Sequence, residues 1–409
     1  MIRSVLYATF AAALVLGSPQ ARAQTEPPKS SPSEREGVSL ETERVLGSET
    51  AAISFIRHGL QSTHRETDLR FSGDLYIDTG YEKSLKALDS EKDVEFWLQQ
   101  GRFMLRVTPT YSSGSFFVRA SAEFLAHVDE IHGEEHIDTD DAWLKIGMWD
   151  LWDLQIGRYE GWEVYHKGQG LERDTLEDLG AFGGPDIYEV NYAFYRQNGF
   201  GQAALHLYPT DYLRFEVGTV FGNDLGFNSI GVRPAGILDF GMVKLKIAGE
   251  WRQQKNQEEG KLQEVEQRGF GGSLQFFFDD PGVALPIQLG VNGAYGLVDK
   301  IDPFGKVDEK GSVDTLSLGG FLNMGVASAS IGLGYNHTIQ EDRQRNDQSG
   351  KVGRFVHQQV FASVKHPIVV PQATAKVVFA YARTDLKPGF GNDRVNEMYS
   401  VRLRLLYTY

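Results

Sequence analysis

The chain has 409 residues, no cysteine, 45 glycines, 12% aromatic residues and a formal net charge of −14. The missing cysteines exclude a disulfide framework and a thiolate zinc site, and the acidic balance argues against nucleic acid as a partner. No stretch beyond the leader approaches the 18 consecutive apolar residues of a membrane-spanning helix, which argues against a helical membrane protein.

Residues 1–23, MIRSVLYATFAAALVLGSPQARA, carry an early cation (Arg3), an apolar run from Val5 to Leu16, and Ala21-Arg22-Ala23 ahead of Gln24. This is the pattern of a secretory signal peptide cleaved after Ala23. Of the 41 Lys and Arg, two lie in that leader, so 39 basic residues face 55 acidic ones in an exported chain of net charge about −16. Residues 24–60 open rich in Pro, Ser and charge without apolar periodicity, and read as a flexible periplasmic segment.

From residue 61 to 409 a different regime holds. Apolar residues recur at every second position through short segments separated by turns or polar loops, the signature of half-exposed β-strands. In chain order these include Phe103/Leu105/Val107, Phe116/Val118/Ala120/Ala122/Phe124, Leu213/Phe215/Val217, and Val243/Leu245/Ile247/Gly249/Trp251. Leu285 to Tyr295, Leu316 to Met324, Ile331/Leu333/Tyr335 and Val377/Phe379/Tyr381 continue the pattern. The last segment, Tyr399 to Tyr409, is the clearest: apolar and aromatic residues alternate with Ser400, Arg402 and Arg404.

Short connections at Ser112-Ser113-Gly114, Trp149 to Trp152, Tyr208 to Asp211, Asp280-Pro281-Gly282 and Pro367 to Gln372 alternate with long polar segments. The long ones lie near 82–100, 129–140, 160–198, 254–266, 299–312, 340–352 and 385–394. Alternating tight turns and long loops are what a transmembrane antiparallel β-barrel requires. The first strand count is 17, and a barrel with both ends on one side needs an even number. Omitting DIYEVNYAF (186–194) gives 16, and Tyr195 to Tyr208 then form one strand; a missed strand near 51–59 would give 18. A soluble all-β sandwich is the competing fold, and the C-terminal Tyr409 on an exported chain argues for the outer membrane.

If one face of the barrel meets lipid, the other meets the lumen. That face carries Arg102, Arg106, Arg119, Lys145, Lys244, Lys246, Arg252, Arg402 and Arg404. The longest insert adds Glu160, Glu163, Glu172, Asp174, Glu177 and Asp178. An inward fold of this third loop would set its carboxylates against Arg119, Lys145 and Arg158 across a constriction, a transverse field that orients polar solutes. For any single residue the plainer reading is a solvated charge on a wall or loop.

The segments LQIGRYEG (154–161), LERDTLE (171–177), YRQNGFGQAALHLY (195–208) and LRFEVGTVFGND (213–224) resemble Gram-negative trimeric porins, most like the phosphate-selective and dicarboxylate-type group. Arg158, Arg196, Gly199, Phe221 and Asn223 fall where that group's motifs fall. The resemblance covers about 70 residues and implies a 16-stranded barrel, a homotrimer and passive diffusion of small hydrophilic solutes. Phosphate selectivity does not carry over, because the family's arginine and lysine ladders have no residue-by-residue match here.

Two other classes compete. A polysaccharide or carbohydrate channel would use Trp143, Trp149, Trp152 or Trp162 as stacking surfaces, although indoles also anchor barrels at the membrane interface. A non-conducting structural or adhesive barrel would work through its loops. Catalysis is not expected: no G-x-S-x-G elbow and no phosphate-binding glycine loop is present. His132, Glu135 and His136 spell H-x-x-E-H, but zinc peptidases place that motif on a helix with a further downstream ligand. Here it lies between two alternating strands, so it reads as an acidic external loop able to hold a divalent cation loosely. No cofactor is expected. The expected partners are outer-membrane lipid and lipopolysaccharide, and the barrel-assembly machinery through the last strand.

Overall fold

The computed structural model describes residues 65–85, 93–129, 134–165, 187–192, 201–224, 227–258, 261–278, 285–301, 310–344, 353–387 and 394–409. They form sixteen strands: β1 (Arg65–Leu85), β2 (Val94–Ser113), β3 (Phe116–Asp129), β4 (Glu134–Met148), β5 (Trp152–Arg158), β6 (Gly201–Thr210), β7 (Leu213–Asp224) and β8 (Phe227–Asp239). The second half holds β9 (Val243–Glu258), β10 (Lys261–Phe278), β11 (Ile287–Ile301), β12 (Lys310–Val326), β13 (Ala329–Gln344), β14 (Gly353–Pro367), β15 (Ala373–Lys387) and β16 (Arg394–Thr408). Each pairs antiparallel with its sequence neighbours, and β1 pairs with β16, so the sheet closes on itself.

Closure settles the strand number at sixteen. Ile187–Tyr192, inside the segment omitted from the count, form no strand. The alternative strand near 51–59 lies outside the described residues, and the β1–β16 pairing leaves no gap for it in the ring.

Alternation decides which face each residue takes. On β16, Val401, Leu403 and Leu405 are exposed outward, whereas Ser400 and Arg402 are each 2% exposed inside. On β9, Leu245 and Ile247 face out while Lys246, Ala248, Glu250 and Arg252 are buried inward. Large apolar side chains that would be aberrant on a soluble protein therefore form a continuous outer band, the inverse of a water-soluble core.

Most strands are longer than a bilayer needs. Fifteen residues extend about 50 Å, and even tilted by about 40° they outreach the ~25 Å apolar band of such barrels. The excess lies at the end carrying the long loops. There the outward rows pass through an aromatic level, with Tyr381 against Tyr399 at 5.1 Å and Tyr81 against Trp97 at 5.2 Å. Beyond it they become ionic: Arg383 lies 3.0 Å from Asp385, Arg268 lies 3.2 Å from Asp299 and Lys83 lies 3.5 Å from Glu95. At the short-turn end, Tyr212 stacks on Phe240 at 5.6 Å.

These overshooting strands correct the loop boundaries read from sequence. Residues 254–266 are largely ladder, since β9 runs to Glu258 and β10 starts at Lys261. Residues 82–85 and 94–100, also assigned to a loop, are strand. Backbone pairing needs no apolar side chain, so polar strand ends carry no period-two signal. The same holds at 129–140: Glu134 to Asp140 belong to β4, with Glu135 paired with Val128 and His136 with His127. The H-x-x-E-H stretch is thus no helix where it is described, and His132 lies outside the described residues.

The short turns fall near their predicted places, with two shifts: Ser112 and Ser113 belong to β2, and the turn there is Gly114-Ser115. Tyr208 to Thr210 belong to β6, and the turn is Asp211-Tyr212. Pro209, which has no N–H for the ladder, sits in the register irregularity between Leu207 and Thr210. Two turns carried no strong signal: Phe240–Met242, where Gly241 supplies φ 79°, and Ala327-Ser328, where Ala327 takes φ 54°. The Asp280-Pro281-Gly282 turn lies outside the described residues.

The C terminus locks the ring. Tyr409 and Gly73 exchange two backbone hydrogen bonds of 3.0 and 3.1 Å, and the Tyr409 hydroxyl donates across β1 to the Met104 carbonyl at 3.1 Å. A Cβ at Gly73 would lie 2.6 Å from that hydroxyl oxygen, so only glycine leaves room for the ring.

Candidate pore constriction

β5 has seven residues, and beyond it Tyr159 and Trp162 leave the ladder and bond to the buried side chains Gln202, Glu216 and Arg233 of β6, β7 and β8. Gly157 makes the departure feasible: its φ is 131° and a Cβ there would lie 2.7 Å from the Trp143 Cα. Tyr159 follows, fully buried, with the Gln202 side chain accepting from its N–H at 3.4 Å and donating to its carbonyl at 3.2 Å. A side-chain amide on β6 thereby replaces the missing ladder partner.

Three residues on, the Trp162 N–H donates to both oxygens of Glu216, at 3.0 and 3.1 Å. Arg233 is the hub. Its guanidinium donates to Glu216 at 2.8 Å, to the Trp162 carbonyl at 2.6 Å and to the Val190 carbonyl at 2.7 Å. One side chain on β8 therefore grips both described ends of the long β5–β6 connection. Arg252 adds a second clamp, to the Tyr192 carbonyl at 2.8 Å and the Ser229 hydroxyl at 2.9 Å.

Tyr188 fixes the returning end. Its N–H donates to Ser317 Oγ at 2.9 Å, and its hydroxyl donates to Glu250. Burial, reinforced by the Glu250 carboxylate, holds the Tyr188 phenol well above its ordinary range, so it stays a donor. Val164, Tyr165, Tyr188 and Val190 pack on Ala235, Ala248 and Ala294 of the wall. The wall is built small there: a Cβ at Gly296 would meet the Tyr188 ring at 2.8 Å, and one at Gly271 would meet Val190 at 2.8 Å. Glycines in strand interiors weaken the sheet, and here they admit a second layer.

Behind Trp162 lies a buried charged group. The His206 ring faces Asp153 at 2.6 Å through Nδ1 and Glu216 at 3.2 Å through Nε2. Both nitrogens thus have a carboxylate acceptor, which suits the imidazolium form. The Trp162 indole stacks on this ring at 5.0 Å and 12°. Tyr208 donates to Asp153 at 2.7 Å, and Lys145 lies 3.9 Å from it.

The wall formed by β16, β1, β2 and β3 carries a different set. Arg404 and Arg102 sandwich the Tyr76 ring at 4.4 and 4.9 Å. Arg404 donates to Asp78 at 2.6 and 2.7 Å, Arg102 pairs with Asp74 at 2.9 Å, and Arg402 lies 3.4 Å from Glu82. Arg106 pairs with Glu123.

The residues expected from sequence divide between the wall and the connection. Arg106, Arg119, Lys145, Lys244, Lys246 and Arg252 all lie on inward-facing rows. Arg119 sits toward the short-turn end, 5.2 Å from the Trp149 ring and 3.2 Å from Thr110 Oγ1. Lys244 pairs with Asp239 at 3.2 Å. Arg158 is the last residue of β5, and Glu160 and Glu163 belong to the segment that leaves the wall. Glu172, Asp174, Glu177 and Asp178 lie outside the described residues. Among the described residues, Arg233 and Arg252 hold the connection through its backbone carbonyls. Sequence reading finds the second and misses Arg233, Glu216, Glu250, His206 and Asp153. The alternation of Ile230, Val232 and Pro234 on the outer face of β8 is the available signal for Arg233.

No family model and no curated protein matches this sequence. Among solved structures, the fold is similar to the outer membrane channel DcaP of Acinetobacter baumannii, with 12% identity and a TM-score of 0.55 over 84% of this chain and 97% of that one. It is also similar to OmpT, an outer membrane protein of Vibrio cholerae in its trimer form, with 13% identity and a TM-score of 0.53 over 84% and 99%. An anion-selective porin from Comamonas acidovorans matches with 12% identity and a TM-score of 0.50 over 84% and 100%. What is shared at these identities is the fold, a closed barrel.

Proposed function

We propose that this chain is an outer-membrane porin, a water-filled barrel for passive diffusion of small hydrophilic or charged solutes. The observation that carries the reading is the asymmetry of the lumen. One sector, β6 to β12, is covered by the anchored ends of the β5–β6 connection, while the facing sector from β16 to β3 presents Arg102, Arg106, Arg402 and Arg404 with their carboxylates. Paired arginines and carboxylates give this sector the polar interior of a transmembrane barrel, which supports a path for hydrophilic or charged solutes. The inward-folded third loop is the constricting element in this account. Its acidic residues Glu160, Glu163, Glu172, Asp174, Glu177 and Asp178 work against the wall cations, now including Arg233.

The barrel's apolar band and flanking aromatic levels support a seat in the outer membrane, with the short turns in the periplasm and the signal peptide removed on export. The low wall at β5 and β6, seven and ten residues long, offers contact sites for two further copies in a homotrimer. The ionic rows beyond the aromatic level face lipopolysaccharide headgroups, and the Tyr409 strand engages the assembly machinery.

Liposome swelling tests the reading. Proteoliposomes should swell in isotonic solutions of small sugars and amino acids, at rates that fall with solute size. Swelling no faster than that of protein-free liposomes would leave a structural or adhesive barrel as the better account.

A further inference from the structure

An uncharged row crosses the inner wall from β10 to β13. Ser273 on β10 pairs with Asn292 on β11, Asn292 with Gly319 on β12, and Gly319 with Asn336 on β13. Ser273, Asn292 and Asn336 belong to the inward-facing rows and are 3%, 7% and 1% exposed. In the rows on either side, β11, β12 and β13 place Gly290, Ala294, Ser317, Phe321, Gly334 and Thr338 inward, none of them ionisable. Along the row, the nearest ionisable side chain among the described residues is Lys246 of β9, the partner of Ser273. It stands two strand spacings, about 10 Å, from Asn292.

Two observations point to a ligand. A Cβ at Gly319 would lie 2.6 Å from Asn292 Oδ1 and 2.6 Å from Asn336 Oδ1, so both amides lean over the glycine from opposite sides. The oxygen and the nitrogen of each amide, and the Ser273 hydroxyl, have no hydrogen-bond partner among the described residues. Both atoms of each amide are concerned, so the point holds whichever way the amide is turned. Buried amides of this kind carry a desolvation cost that a hydrogen-bonding ligand removes. The second observation is the next row toward the short turns, which runs Gly290, Phe321, Gly334, Phe361 across β11 to β14. A Cβ at Gly290 would overlap the Phe321 ring and one at Gly334 the Phe361 ring, so each ring lies across the glycine of the neighbouring strand. An amide row therefore borders a phenyl row. The Tyr165 hydroxyl, 3.0 Å from the same point above Gly319, brings the β5–β6 connection to the edge of this pair of rows.

We infer that Asn292 and Asn336, with Ser273 beside them and Phe321 in the adjoining row, form a binding site for the hydroxyl groups of a neutral polyol, a sugar or sugar alcohol. A primary amide offers an acceptor and two donors without charge, which matches a hydroxyl that both donates and accepts. The phenyl row supplies an apolar surface for the C–H edge of the same solute. A charged solute fits the row poorly, because no described counter-charge stands beside the amides to offset the desolvation of an ion. The inference rests on the channel reading in that the solute reaches the row from the bore. The site is separate from the loop anchors Arg233 and Arg252 on β8 and β9, and it uses none of the tryptophans.

The test is isothermal titration of the purified, folded full-length barrel, in a detergent without a sugar headgroup, with glucose, glucitol and succinate in separate arms. Glucose and glucitol should each bind saturably and compete with one another, and excess succinate should leave glucose binding unchanged. The Asn292→Leu, Asn336→Leu double variant keeps the side-chain volume and removes both amides, and should lose at least about tenfold in affinity. Gly319→Ala, whose methyl would stand between the two amides, should weaken binding as well. Ser328→Ala, in the exposed β12–β13 turn, should leave it unchanged. The heat-dependent gel mobility of each variant verifies that the barrel is closed. Equal affinity in the closed double Leu variant, displacement of glucose by succinate, or no saturable binding of either polyol to the wild type would overturn the site. If the wild type binds polyol but does not conduct, the channel reading fails and the site stands; conduction without binding removes the site and leaves the channel.

Discussion

Replacing Arg233 by methionine keeps the stem of the side chain and removes three charge-assisted hydrogen bonds, to Glu216, Trp162 and Val190. The Arg233 and Glu216 side chains are 3% and 1% exposed, so Glu216 would be left with His206 and the Trp162 N–H as its partners in a dry setting. Breaking a buried pair from one side costs about 3–5 kcal/mol. The sixteen-stranded ladder does not depend on this residue, so most of that cost falls on the seating of the β5–β6 connection. At about 1.4 kcal/mol per factor of ten, the ratio of held to released connection falls by roughly 10²–10³. Single-channel recordings of R233M should show a changed main conductance and frequent substates, while heat-dependent gel mobility still reports a closed barrel. Adding Glu216→Gln should recover part of the lost seating, because it removes the stranded carboxylate. Wild-type conductance and noise in closed R233M would refute the assignment of Arg233 as the clamp.

Three further outcomes follow from the same contacts. Gly296→Leu places side-chain atoms where the Tyr188 ring lies and should displace the returning end of the connection, altering conductance with the barrel still closed; an unchanged conductance counts against the packing. Tyr409→Ala removes a ring stacked on Phe103 and a hydrogen bond to Met104, a loss of about 2–4 kcal/mol from burial and hydrogen bonding together. Its expected readout is slower folding into detergent micelles and a lower unfolding temperature on gels, and wild-type values for both would remove Tyr409 as the closing lock. His206→Phe retains stacking on Trp162 and leaves Asp153 and Glu216 without the bridging ring, so it should lower unfolding temperature by more than His206→Gln, which still donates one hydrogen bond; the reverse order would contradict the bridging role.

The barrel is legible in the sequence because lipid outside and water inside impose a period of two on every strand. β9 and β16 display it without interruption, and sixteen strands emerge once residues 186–194 are set aside. Legibility stops where lipid stops. Past the aromatic level, pairs such as Arg268 with Asp299 hold rows that alternate no longer, and ladder reads as loop at 82–85 and 254–258. The site is half legible for a related reason. Alternation tells that Arg252 faces inward, and could tell it of Arg233, but it gives neither height along the bore nor reach. Arg233 works largely through the carbonyls of Trp162 and Val190, and a backbone carbonyl as acceptor leaves no trace in side-chain identity. His206 is hidden inside a strand that reads only as apolar.

Conduction through this closed barrel is tested most directly in a planar lipid bilayer under a salt gradient. Purified protein should insert in discrete conductance steps, with a reversal potential that shifts when Arg102, Arg106 and Arg404 are replaced by glutamine. A folded, heat-modifiable barrel that inserts and yields no steps would contradict the account.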